Sequence, residues 1–329
     1  MFLFSRTSVA GTAKRNYSVT FLRGLATLLI VNSHFAPLYP KKLSFLAFGG
    51  MFGDILFFMI SGFCLANVKD NFPLFYLKRI KRVYLPYLLF LPILIFLGKT
   101  QNWGIIDYFL PYKTYGFLTM ILLLYPFFYV CIFANKKISF FKFEYLLFLL
   151  GIAYFLFFFL AFNYTDGDVL EFVPCEIITF FSSMIIGAWL SKKDFHSFKP
   201  IHIIILSLFL VIFLGVYTIQ SFLPLVSWMK LFQWLIGFGV VSCLFAICLS
   251  IRFERIKNPL IDFLAGITLE IYFVNYIIIE QFTSMAFPLG LVFCLISICA
   301  IAFIINRFFY FVIDYLPRRI IKKLKHEKN

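Results

Sequence analysis

Acidic side chains are scarce in this sequence. Fifteen Asp and Glu face thirty Lys and Arg, and charged residues of both signs make up only 14% of 329 residues. Soluble proteins carry about a quarter. The shortage is matched by a surplus, 62% hydrophobic residues with 22% aromatic, and together these exclude an ordinary soluble domain, which could not bury so much apolar surface. Histidines are few, four in all, and scattered, so no metal site is expected. The seven cysteines lie in or beside apolar runs and form no CxxC pair. That excludes a disulfide framework and leaves them as small buried hydrophobes. No internal repeat is visible and no polar stretch is long enough for a second domain, so residues 1–329 read as a single membrane domain. The first apolar run lacks a small-residue cleavage site and is read as a retained span, not a signal peptide.

What is present is hydrophobicity in membrane-length blocks. A helix needs about 20 apolar residues to cross the hydrocarbon core. Ten runs qualify, at 17–37, 45–67, 83–98, 115–134, 143–162, 173–190, 201–219, 229–250, 259–282 and 287–313. The expected fold is therefore all-α, a polytopic integral membrane helical bundle of about ten transmembrane helices, with 103–112 dipping into the interface. If the N-terminus is inside, the segments 1–16, 68–82, 135–142, 191–200, 251–258 and 314–329 are cytoplasmic and hold 23 of the Lys and Arg. The outer segments 38–44, 99–114, 163–172, 220–230 and 283–286 hold 5. Cytoplasmic loops carry the excess of Lys and Arg, so the chain is predicted N-in and C-in, with 314–329 a basic cytoplasmic tail. The net charge of +15 then belongs to topology and to contact with anionic membrane lipid, and nucleic acid is not an expected partner.

Some polar side chains fall inside these runs. In "FLRGLATLLIVNSHF" Arg23 and His34 are eleven residues apart, which is three helical turns plus roughly 20°. Both point the same way, separated by about 16 Å along the axis. Intramembrane polar residues usually face a protein interior or a wet cavity. One reading has both side chains snorkelling to headgroups. The other makes His34 a proton acceptor, since a neutral imidazole near pH 7 is a natural base. In "FYLKRIKRVYLPYLL" Arg79 and Arg82 are three apart on one face. They are either a positive-inside anchor or a pair of guanidinium forks suited to phosphate.

Four stretches in order, "RGLATLLIVNSH", "FFMISGF", "RIKRVYLP" and "AGITLEIYFVNYII", resemble the membrane-bound acyltransferase 3 family over nearly the whole chain. The last departs from the family's pattern. Thr268 stands where Ser is common, and Asn275 stands where many members have a second histidine. An amide cannot take a proton at neutral pH, so weight moves to His34. The resemblance implies a membrane O-acyltransferase that moves acetyl from acetyl-CoA, as co-substrate, to a hydroxyl of a surface polysaccharide such as lipopolysaccharide O-antigen or of its lipid-linked precursor. The implied home is a bacterial inner membrane. By the same resemblance Arg79 and Arg82, with Ser61, hold the donor. His34 is general base or transient acyl carrier, in line with Arg23; from its similar depth in the sixth span, and not from the resemblance, Glu176 is the preferred residue to orient it. Asn275 and Asp54, in the outer halves of their spans, and Tyr272, on one face with Asn275, are the residues expected to contact the acceptor sugar, with orientation of His34 as the other role open to Asn275 and Asp54. Asp54 has an alternative partner in Arg23. Glu270, about 200° around the ninth span from Thr268, is placed outside the site. A glycan transporter or flippase and a non-catalytic assembly subunit are the competing readings. Neither needs a cytoplasmic R-x-x-R beside the R-x10-H.

Overall fold

The computed structural model describes residues 16–110, 112–138, 141–164, 173–193, 200–222, 227–250 and 258–317. Most of the N-terminal segment, the acidic loop after 164 and the tail beyond 317 lie outside the described residues, as do His196 and His326. Thirteen α-helices and no strand occur among the described residues. They are α1 Tyr17–His34, α2 Gly50–Leu65, α3 Phe72–Arg79, α4 Leu85–Phe96, α5 Ile105–Phe109, α6 Tyr112–Lys137, α7 Phe143–Tyr164, α8 Val173–Leu190, α9 Pro200–Phe222, α10 Ser227–Ser250, α11 Pro259–Gly266, α12 Thr268–Ile279 and α13 Leu289–Tyr310.

Four stretches among the described residues are long and apolar enough to cross a membrane: Lys41–Leu65, Tyr115–Lys137, Phe143–Leu160 and Leu289–Tyr315. The pair α11–α12 makes a fifth if its two halves count as one span. Three of the other expected spans, in α8, α9 and α10, are shorter apolar helices. Helix α1 falls below the same hydropathy because it carries Arg23, Asn32, Ser33 and His34. The result is a helical membrane bundle. Its outer helices are dressed for lipid: only 17% of the apolar window of α7 is buried, with Phe148, Leu149, Leu156 and Phe159 exposed. Water would not tolerate that face.

The ends of the helices sort into two groups. In one, the Tyr17 hydroxyl donates to the Asn258 carbonyl at 3.0 Å, Tyr129 to that of Asp70 at 3.1 Å and Lys136 to that of Val68 at 3.0 Å. Trp189 donates to Glu144 at 2.7 Å, and Lys81 pairs with Asp314 at 3.2 Å. In the other, Lys99 pairs with Glu280, and the rings of Tyr39 and Phe287 lie 5.8 Å apart. Segment 99–110 folds back along the helix it has just left. The Tyr87 hydroxyl donates to the Tyr108 carbonyl at 2.8 Å and that of Tyr84 to the Phe109 carbonyl at 3.0 Å.

Helix α2 runs beside α1, α8 and α10. A Cβ at Gly62 would stand 1.9 Å from the Met184 carbonyl oxygen, and one at Gly187 would stand 1.9 Å from that of Met59. Each glycine therefore admits the backbone of the other helix. Without water to drive association, close backbone approach at small residues is how membrane helices pack. Two hydrophobic clusters flank this crossing. One joins α2 to α1, α8 and α10 through Leu22, Ile55, Met59 and Phe245. The other joins α4, α6, α12 and α13 through Phe90, Leu118, Phe273 and Phe309.

Candidate active site

Two irregular helices shape the site. The first is α3–α4, one continuous rod with a π turn at Ile80–Tyr84. Pro86 has no N–H to give the Arg82 carbonyl four residues back, and its ring crowds that carbonyl. The helix widens by one residue, and the Leu85 N–H reaches the Ile80 carbonyl, five residues back. Wide turns of this kind cluster at functional sites. This one carries Arg82 and follows directly on Arg79.

The second is the expected ninth span, which is not one helix. It bends by 74° between α11 and α12. Inside lipid every freed backbone group must find a protein partner. Here Thr268 Oγ1 donates toward the Leu264 and Ala265 carbonyls at 3.1 and 3.3 Å and lies 3.0 Å from Thr27 Oγ1 on α1. Thr27 in turn donates to the Arg23 carbonyl at 2.9 Å. From α13, Asn306 Nδ2 donates to Glu270 Oε1 at 2.9 Å and, more weakly, to the Gly266 carbonyl at 3.4 Å. The break is thus pinned from both sides. It also presents the open end of α12 to a cavity.

That cavity is lined from α1, α2, α3–α4, α6, α11–α12 and α13. It brings together six of the nine residues named from sequence: Arg23, Ser61, Arg79, Arg82, Tyr272 and Asn275. Arg79 stands 5.7 Å from the centre of the Phe75 ring. The Tyr125 hydroxyl lies beside Ser61 and within electrostatic reach of Arg79, Arg82 and Arg23. Three guanidinium groups and one carboxylate, Glu270, are the fixed charges of the lining among the described residues. Such a surface favours an anion.

His34, Asp54 and Glu176 are outside this lining. His34 continues the polar stripe of α1 beyond Arg23, Thr27 and Val31, and its ring packs on Tyr276 with centroids 4.4 Å apart. Asp54 interacts electrostatically with Glu176 and with Tyr272 and Tyr276. The neighbours of Asp54 are thus on α8 and α12, and the structure does not bring it to Arg23. Glu176 likewise meets Asp54, while His34 meets Tyr276.

Two lining residues escape a reading of the sequence by helical angle, Glu270 and Asn306. Glu270 does point away from Thr268 around the axis. It nonetheless lines the cavity, buried in the first turn of α12, because that helix begins there. The 74° break is the missing signal, and "AGIT" is its only trace in sequence. Asn275 is fully buried. Its Oδ1 accepts the Tyr276 N–H at 2.6 Å, and its Nδ2 has no hydrogen-bond partner. A buried donor left open costs about 1–3 kcal/mol. No cluster of His, Cys, Asp and Glu able to hold a metal occurs among the described residues.

A family model described as an acyltransferase domain matches residues 16–311. No match is found among curated proteins, and none among solved structures.

Proposed function

Because the chain belongs to the acyltransferase 3 family, we propose that it is a membrane O-acyltransferase which moves acetyl from acetyl-CoA to a sugar hydroxyl. The acceptor in this reading is a cell-surface polysaccharide, such as lipopolysaccharide O-antigen, or its lipid-linked precursor, in a bacterial inner membrane. The observation that carries the reading is the meeting of Arg23, Arg79 and Arg82 on one cavity inside an apolar bundle. A cation in that setting is expensive and marks a substrate path. Paired guanidinium forks suit the phosphates of a nucleotide thioester.

In this reading Arg79 and Arg82 hold the donor phosphates, with Ser61 beside them. The thioester arm follows the α1 stripe from Arg23 past Thr27 toward His34. His34 takes the proton of the sugar hydroxyl as the oxygen attacks the thioester carbonyl. The C–S bond breaks, and the proton passes to the leaving thiolate. The products are the acetyl ester and free CoA. Tyr276, packed on the imidazole, fixes its plane. Asp54, close to Tyr272 and Tyr276, and Glu176, close to Asp54, supply acceptors for sugar hydroxyls on the same side as His34.

The test follows labelled acetyl from acetyl-CoA into membrane glycan. It compares wild type with His34→Ala and Arg79→Ala, each shown to insert at normal levels. Wild type should label and both variants should not. Absence of label in the wild type overturns the activity, and normal labelling by His34→Ala overturns the base assignment.

A further inference from the structure

The amide of Asn275 is held in one orientation. Its Oδ1 takes the backbone N–H of Tyr276 at 2.6 Å. Exchanging oxygen and nitrogen would set two donors face to face, so the network fixes the assignment. Its Nδ2 is then left as an open donor in a residue with no solvent exposure, and that residue lines the cavity of Arg23, Arg79 and Arg82. Asn275 shares one helix face with Thr268 and Tyr272, at steps of four and three, and both also line the cavity. Thr268 is spent on the helix break. The donor of Asn275 is not spent on structure: it meets no protein acceptor. A preorganised donor in a dry site is what an acyl transfer uses where negative charge develops on the carbonyl oxygen.

We propose that Asn275 Nδ2 donates a hydrogen bond to the acyl carbonyl oxygen of the bound thioester, and so stabilises the oxyanion formed when the acceptor hydroxyl attacks. This rests on the acyltransferase reading and assigns Asn275 to the donor, not to the acceptor sugar. The step balances as written above. The hydroxyl oxygen bonds the carbonyl carbon and the carbonyl π electrons move to oxygen beside Asn275. They then return as the C–S bond breaks. An amide suits this task where an imidazole would not be needed, because the donor never has to give up its proton.

The experiment measures binding of two non-reactive donor analogues to the purified full chain in detergent. One is a ketone analogue of acetyl-CoA, with a CH2 in place of sulfur and the carbonyl kept. The other is a thioether, S-ethyl-CoA, with no carbonyl. Wild type should prefer the ketone, and the carbonyl stretch of the bound ketone should move to lower frequency. Asn275→Ala should lose both the preference and the frequency shift. In turnover it should lose about 10²–10³-fold in kcat, the usual effect of removing one oxyanion donor, with little change in KM for acetyl-CoA. Asn275→Gln, which keeps an amide donor, should recover part of the rate. Arg79→Ala should weaken both analogues alike.

If wild type binds both analogues equally, with no shift of the carbonyl stretch, the oxyanion role is overturned while the acyltransferase reading stands. If wild type binds neither, both fall. If Asn275→Ala melts early but Asn275→Gln is stable and keeps the ketone preference, the role is upheld. A stable Asn275→Ala that retains the preference overturns it.

Discussion

At the residue scale, charge and polarity inside the bundle are either spent on structure or left facing the cavity. Asn306 is an example of the first. It ties Glu270 and the Gly266 carbonyl together across the helix break. Replacing it by Leu takes a donor from a buried carboxylate and should cost about 1–3 kcal/mol, read as a lower melting temperature in detergent. Activity should fall with it, because the same residues line the cavity. Arg79 is an example of the second, whereas His34 lies outside that lining and packs on Tyr276. If it is the proposed base, the imidazole must be neutral to accept a proton. The rate should therefore rise with pH as the imidazole loses its proton, and level off once it is neutral. A pH–rate profile of kcat/KM for the acceptor checks this. A rate that shows no rise between acid pH and the plateau, or that falls over that range, would remove His34 from proton transfer. Arg23 was legible because a guanidinium in an apolar run stands out, while Arg79 and Arg82, in a basic segment, stood out by their three-residue spacing and the family resemblance. Glu270 was not legible, because its access depends on where α12 begins.

At the scale of elements, irregular helices do what regular ones could not. Proline announces one of them: Pro86 in "RVYLPYLL" accounts for the π turn beneath the two arginines. No proline marks the other. The break at Ile267 follows a glycine, but tertiary partners hold it open. Thr27, Thr268 and Asn306 come from three separate helices. Periodicity therefore reads α11–α12 as one span. The α2–α8 crossing offers a sharper check of packing. Gly62→Ala sets a methyl against a backbone carbonyl, which cannot rotate aside. The helices must separate, at about 1–3 kcal/mol or more. Gly215→Ala on α9, where nothing lies within 4 Å of an added Cβ, should instead be neutral or stabilise by up to about 1 kcal/mol through helix propensity. Thermal stability of the two variants side by side decides it. Equal effects would mean that α2 and α8 are not so closely packed.

At the scale of the whole molecule, composition made the class plain. A chain with 14% charge and 62% hydrophobic residues needs lipid, and the exposed phenylalanines of α7 show where. Span count was less legible. Helix α1 dilutes its hydropathy with Arg23, which lines the cavity, and with Asn32, Ser33 and His34, which lie outside that lining, and segment 99–110 returns along α4 instead of staying in a surface loop. The contacts between helix ends tie certain ends together in pairs, while the Lys and Arg bias supplies the proposed direction. Cysteine substitution tests that direction. Lys42→Cys should react with an impermeant maleimide on intact cells, and Lys137→Cys only after the membrane is opened. The reverse pattern would invert the proposed topology and put the arginine pair on the outer half.

The reciprocal glycines of α2 and α8 also limit how this chain can change. Gly62 makes room for the carbonyl of Met184, and Gly187 for that of Met59. In each case the obstructing atom belongs to the main chain, which every amino acid shares. Trimming Met59 or Met184 to a smaller residue would leave the obstruction in place. A genetic suppressor of Gly62→Ala should therefore be hard to find at the facing positions, and reversion should dominate the survivors. These two positions are closed to compensatory drift, while the lipid-facing surface of α7 can exchange one large apolar side chain for another.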